Sequence, residues 1–131
     1  MGKIIIEKEL GAVPSESEIQ VVDILVENKI PKKHVLFLKP NRYKGSKTPD
    51  IKIDHDLCWE IKTPRKVGKY TLDHAERDGL HQSVNLIFDL RLLKNIGAKA
   101  KVRLEKDFSM TKKWKKLIII SKDKKVLTYS K

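Results

Sequence analysis

The stretch from Thr48 to Pro64, TPDIKIDHDLCWEIKTP, constrains the fold more than any other part of this chain. Ile51 and Ile53 alternate with polar neighbours, Asp54-His55-Asp56 supplies turn residues, and Leu57 to Lys62 alternates again. Two short alternating runs separated by turn formers predict a β-hairpin. Successive side chains of a strand point to opposite faces, so Trp59 and Ile61 share one face while Cys58, Glu60 and Lys62 share the other. Pro64 closes the second strand, because it has no N–H to give to a ladder. A tight turn sets Asp50, at the head of the first strand, close to Glu60, with both side chains able to project to one side.

The rest of the chain narrows the class. With 131 residues there is room for one domain, spanning 1–131, with residues 1–12 forming an N-terminal arm or an edge strand. The longest apolar run, Leu117 to Ile120, has four residues, far short of the roughly 18 that a membrane span requires. Met1 to Ile6 meets Glu7 before a signal-peptide apolar region forms. Cys58 is the sole cysteine, so an intramolecular disulfide framework and a thiolate zinc site are excluded. Lys and Arg number 29 against 17 Asp and Glu, a formal charge of +12. Lys94 to Lys131 holds 13 basic and 3 acidic residues, a net of +10, whereas the first 93 residues net only +2. Such a basic region favours a polyanion by counterion release and electrostatic steering. Nucleic acid fits better than acidic lipid, since the tract has no amphipathic stripe with aromatic anchors; a merely solvated lysine-rich surface is the bland alternative.

Periodicity and caps predict the remaining elements. Ser15-Glu16-Ser17-Glu18 has the S-x-x-E form of a capping box, opening a helix that ends at Asn28 and Pro31 with Ile19, Val22, Leu25 and Val26 on its apolar face. Val35 to Leu38 reads as a short buried strand, Lys39 to Ser46 as a loop, and Tyr70 to about Gln82 as a helix that Gly79 weakens. Val84 to Leu90 is a strand inside the sheet. Helical segments follow around Ala100 and Leu104 and again at Thr111 to Lys115, and a second hairpin joins Leu117–Ile120 to Val126–Tyr129. The expected fold class is α/β (α+β mixed), a central mixed sheet flanked by helices.

Two carboxylates and an ammonium on one sheet face are costly to bury without a purpose. Around a divalent cation they have one: hard oxygen ligands suit Mg²⁺, with Mn²⁺ or Zn²⁺ as alternatives, and the cation polarises a phosphate oxygen and acidifies water. Lys62 then orients that water or neutralises charge developing at phosphorus. Pro49-Asp50, nine residues, then Glu60-Ile61-Lys62 resembles the PD-(D/E)XK nuclease motif. The resemblance implies Asp50, Glu60 and Lys62 as catalytic residues, with Asp50 and Glu60 as metal ligands. It also implies a further acid from the preceding helix, for which Glu18 is the candidate and Glu16 the next; the other reading of Glu18 is the capping box alone.

Trp59-Glu60-Ile61-Lys62-Thr63-Pro64, a polar helix, and Ser83 to Arg91 further resemble the C-terminal tRNA-nuclease toxin domains of contact-dependent growth inhibition proteins. The resemblance spans roughly Ser15 to Tyr129. It implies cleavage of tRNA in the cytoplasm of a target bacterium, delivery as part of a secreted cell-surface protein, and a cognate immunity protein as partner. A DNA endonuclease of the same fold and a non-catalytic basic nucleic-acid-binding module are the alternatives. The latter gains nothing from placing Asp50 and Glu60 beside a polyanion.

Substrate contacts are expected from Thr63, His74, Gln82, Arg91, Lys112, Lys113, Lys115 and Lys116. His81 shares a helical face with His74 but lies seven residues away, too far for one metal. His55 belongs to the hairpin turn, and Cys58 is packing, since no base is available to activate it. Trp114, among four lysines, either stacks a base or is buried.

Overall fold

The structure, a computed structural model, describes residues 3–39, 49–55, 57–65, 71–93 and 97–131. Most of the expected loop from Lys39 to Ser46, the helix start at Tyr70, and Asp56 of the hairpin turn lie outside the described residues. The elements run β1 (Ile5–Lys8), α1 (Glu16–Glu27), β2 (His34–Phe37), β3 (Ile51–Ile53), β4 (Leu57–Lys62), α2 (Thr71–Leu80), β5 (Asn85–Asp89), α3 (Gly97–Met110), β6 (Lys116–Ile120) and β7 (Val126–Ser130). The strands form one mixed sheet in the order β1-β2-β3-β4-β5-β6-β7. β1 pairs parallel to β2, and β4, β5 and β6 are mutually parallel; the other neighbours are antiparallel. The residue 3–10 segment thus supplies an edge strand. The mixed α/β architecture is the one expected.

Both faces of the sheet are covered. Val21, Val22, Ile24 and Leu25 of α1 pack with Val35, Phe37, Ile51, Ile53, Trp59, Ile61, Ile87, Ile118 and Ile120. Leu72 of α2 and Ala100, Leu104 and Phe108 of α3 share the other cluster with Leu86, Phe88, Leu117 and Ile119. Alternate residues of β5 and β6 enter opposite clusters, which is why these strands read as unbroken apolar runs. β4 obeys the same alternation: Trp59 and Ile61 belong to the α1 side, leaving Glu60 and Lys62 to face α2.

Two expectations are corrected. α1 is rotated relative to the expected face: Ile19 is exposed, while Val21 and Ile24 are buried beside Val22 and Leu25. Thr111 to Lys115 forms no helix. α3 ends at Met110 and the chain turns, with the Trp114 N–H donating to the Thr111 carbonyl at 3.1 Å. Trp114 is fully buried in that turn, edge-on to Phe108 at 5.4 Å, and its indole N–H donates to the Lys116 carbonyl at 3.0 Å. It is a core residue and stacks no base.

Candidate active site

β3 is short. It pairs Ile51 to Ile53 with Leu57 to Trp59, so past Trp59 the second strand loses its partner on the β3 side while staying paired with β5 on the other. Asp50 extends the pairing in two ways. Its N–H donates to the Trp59 carbonyl at 3.0 Å, and its carboxylate Oδ2 accepts the Ile61 N–H at 2.8 Å. The side chain therefore substitutes for the missing strand and is fixed next to Glu60 by the hairpin's own geometry.

Glu60 is only 4% exposed. Burial, the neighbouring Asp50 charge and a hydrogen bond to Asp50 push its pKa up to about 8, against the opposing pull of Lys62. Asp50 is also raised, first by burial and further by Glu18, although the Ile61 N–H and the contact with Glu60 work the other way. Burial and the neighbouring Asp50 thus favour the protonated form of Glu60. Glu60 Oε1 is buried and has no hydrogen-bond partner. Its other oxygen, Oε2, lies 3.4 Å from Lys62 Nζ. Lys62 also contacts Asp78 Oδ2 of α2, the closer of its two carboxylates. Burial opposes the Lys62 charge, but the Asp78 and Glu60 contacts outweigh it and leave its pKa raised.

Glu18 is at once a cap and a neighbour of Asp50. Its Oε1 accepts the Ser15 N–H at 2.9 Å while its own N–H donates to Ser15 Oγ at 3.2 Å, completing the capping box. The same side chain reaches Asp50 by charge and hydrogen bond. Glu18 is therefore the capping-box partner of Ser15 and, at the same time, an electrostatic neighbour of Asp50.

The other predicted contacts are dispersed. Thr63 is half-buried just past β4, and His74 lies on the exposed side of α2. His81 is exposed in the turn after it. Gln82 Nε2 lies 3.5 Å from Asp78 Oδ2, which ties it to the Lys62 environment. Arg91 is engaged: Nε and Nη2 grip the two oxygens of fully buried Asp89 at 2.9 and 2.8 Å, and Nη1 donates to Gln20 Oε1 of α1 at 3.2 Å. Lys112, Lys113 and Lys115 are exposed in the turn before β6. Lys116 opens β6 beside Asn85, at the start of the parallel strands, whereas Lys62 ends β4. The basic turn therefore sits towards the opposite end of the sheet from Lys62.

A cavity of about 580 Å³ is likewise separate from the carboxylates; Lys32, Lys33, Trp59, Lys116 and Ile118 are among its lining residues. The candidate site lies where β3 and β4 end, not in this cavity. Among the described residues, the acidic trio whose ligand oxygens all lie within 4.8 Å of one another is Asp73, Glu76 and Asp107, between α2 and α3. Arg103 already spans it, contacting Asp73 and Asp107 at 2.5 and 3.0 Å. Glu18, Asp50 and Glu60 are less convergent, and among the described residues no guanidinium is paired with them. Sequence spacing missed Asp78 and Gln20, which act across elements; an acid one turn before Gln82 on the predicted helix was the available signal for the first.

No curated protein sequence matches this chain. A solved toxin and immunity complex of the CdiA-CT/CdiI type from Burkholderia pseudomallei is similar in fold, with a TM-score of 0.60 at 14% identity over 96% of this chain and 98% of that one. The family model for the contact-dependent growth inhibition CdiA C-terminal domain matches residues 47–126, a segment that begins just before Asp50 and includes Glu60, Lys62 and Asp78, and the chain belongs to that family.

Proposed function

We propose that this chain is an interbacterial toxin domain that cuts tRNA by metal-assisted phosphodiester hydrolysis at a PD-(D/E)XK site. The observation that carries the reading is Glu60: a buried carboxyl group with one unpaired oxygen, beside Asp50 and within 3.4 Å of the Lys62 ammonium. That unpaired oxygen fits a cation. Asp50 and Glu60, with Glu18 behind them, would hold it, and an all-oxygen donor set suits Mg²⁺ or Mn²⁺ better than Zn²⁺. When bound, the ion supplies a polarised phosphate and a more acidic water.

The chain's own groups do the rest. Asp50 is anchored by the Ile61 N–H and keeps Glu60 in place. Glu60 gives up its proton as a cation is taken, so binding releases protons near neutral pH. Lys62 offsets negative charge that builds on the phosphate during attack. The +12 net charge draws the polyanion, with Lys112, Lys113, Lys115 and Lys116 meeting phosphates distant from the cut. A cognate immunity protein is part of the proposal, supported by the toxin and immunity pairing of the similar Burkholderia domain. Delivery from a cell-surface protein and action in the target cytoplasm follow from the family reading.

The test is digestion of total tRNA and of plasmid DNA with and without EDTA, using wild type and Glu60→Ala, with mass spectrometry of the ends. The expected result is tRNA cut to 5′-phosphate and 3′-hydroxyl ends, abolished by EDTA and by the substitution. Cyclic phosphate ends from an EDTA-resistant reaction would overturn the metal mechanism. Preferential plasmid cleavage would transfer the activity to DNA.

A further inference from the structure

We propose that Asp78 is a positioning residue for Lys62, set in reach by Gly79, and that it keeps the ammonium from closing onto Glu60; the role rests on the nuclease reading above. Lys62 has two carboxylates to choose from. Glu60 Oε2 is 3.4 Å away and Asp78 Oδ2 is closer. Without Asp78, the ammonium would settle against Glu60, its other carboxylate contact among the described residues, and compete there with any divalent cation. With Asp78 it is held to the side, charged and beside the carboxylates rather than on top of them.

The helix reaches this position because of its neighbour. A Cβ at Gly79 would meet Leu86 Cδ2 at 3.0 Å and Cδ1 at 3.2 Å, and Lys62 Cε at 3.5 Å. Gly79 therefore lets the backbone of α2 lie directly on β5 and on the Lys62 stem, which is the close approach that sets Asp78 at the ammonium. Glycine inside a helix weakens it relative to alanine, and the approach gives that cost a purpose. Asp78 has a second oddity: its side chain is 47% exposed beside a site meant for a polyanion, where a free acid opposes binding. Committed to Lys62, its charge is offset. Gln82 Nε2, 3.5 Å from the same oxygen, limits its swing.

Asp78→Asn keeps the shape and removes the charge. Cleavage and Mn²⁺ binding by calorimetry are measured for wild type, Asp78→Asn, Lys62→Ala and the double variant, and the Lys62 ammonium resonance is followed by ¹⁵N NMR. Asp78→Asn alone should lower cleavage and weaken Mn²⁺ binding by about 10-fold or more, the usual range for groups that orient a site. In the Lys62→Ala background the same change should cost less than about 2-fold, because the two act as a unit. The Lys62 resonance should shift and broaden in Asp78→Asn. Equal losses in both backgrounds, or an unmoved resonance, would overturn the role. A wild type that cuts no nucleic acid brings down the nuclease reading instead, and the positioning role with it.

Discussion

Glu60 and Glu76 are both glutamic acids with raised pKa values next to an aspartate, one at the ends of β3 and β4 and the other between α2 and α3. Burial raises each first. The adjacent Asp50 then takes Glu60 to about 8, and hydrogen bonding to Asp107 takes Glu76 to about 9. Each leaves one buried oxygen without a partner. They part company in the cation that answers them. Arg103 is planar, permanently charged and spans Asp73 and Asp107 together, so the helix cluster already holds its counter-ion. Lys62 is a point charge drawn sideways to Asp78, so among the described residues no cation spans Asp50 and Glu60 together. Close-set carboxylates by themselves do not make a metal site; what matters is whether a resident cation fills the gap. The helix cluster is the tighter of the two and yet the one read here as a clasp between helices.

Substitution should separate the clusters most sharply through activity. Asp50→Ala and Glu60→Ala are each expected to lower cleavage at least ~100-fold, the scale of a lost metal ligand or electrostatic group; in EDTA the thermal midpoint should hold or rise in Glu60→Ala, which removes a buried acid, and fall slightly in Asp50→Ala, which strips the Ile61 N–H of its acceptor. Arg103→Ala should do the reverse: cleavage stays near wild type, and the midpoint falls modestly because Asp73 and Asp107 lose their half-exposed counter-ion. Cleavage lost in Arg103→Ala with its midpoint intact would erase the distinction.

Acidity offers a second, smaller separation. A carboxyl whose folded pKa lies above its unfolded value binds its proton more tightly when folded. It stabilises fully below the unfolded pKa, and the benefit is lost as pH rises through the folded one. For Glu76 that window runs from 4.5 to about 9, and for Glu60 from 4.5 to about 8. Thermal stability should therefore decline from about pH 4.5 to about pH 9. Glu76→Gln should flatten part of the slope with or without Mg²⁺. Saturating Mg²⁺ should flatten a different part and leave the Glu76 share untouched. If Mg²⁺ erases the whole slope, the helix cluster binds metal too.

What the sequence made legible follows from range. The hairpin, the capping box and the buried strands depend on residues a few positions apart, and their alternation and caps are written locally. Asp50, Glu60 and Lys62 were visible because the hairpin sets them across one turn. The rotation of α1 was not, because Val21 and Ile24 are chosen over Ile19 by where the sheet lies and not by the helix pattern. Thr111 to Lys115 looked helical from composition, but Trp114 is drawn into the core against Phe88 and Phe108, and a turn delivers it there. Arg91 looked like a free phosphate clamp, and only the fold reveals that Asp89, two residues earlier and fully buried, claims its guanidinium. Asp78 was hidden for the same reason: its partner lies 16 residues back, and Gly79 is read as a helix weakness until the neighbouring strand is in view.

Glu18 gives the finest test, because one side chain belongs both to a helix end and to the strand-end cluster. Glutamine at the third helical position supports a capping box as glutamate does, so Glu18→Gln should preserve the bond to the Ser15 N–H while removing charge from beside Asp50. Alanine removes both. If the contact with Asp50 is functional, the two variants should lose cleavage alike, by several-fold, and weaken Mg²⁺ binding alike. Only alanine should destabilise the fold, by about 1 kcal/mol in urea titration, the usual worth of a lost cap. Should Glu18→Gln cleave at the wild-type rate while Glu18→Ala cleaves poorly, the helix end alone matters, acting by holding α1 in place. The charge on Glu18 would then drop out of the site, leaving Asp50 and Glu60 as its only acids beside the Lys62–Asp78 pair.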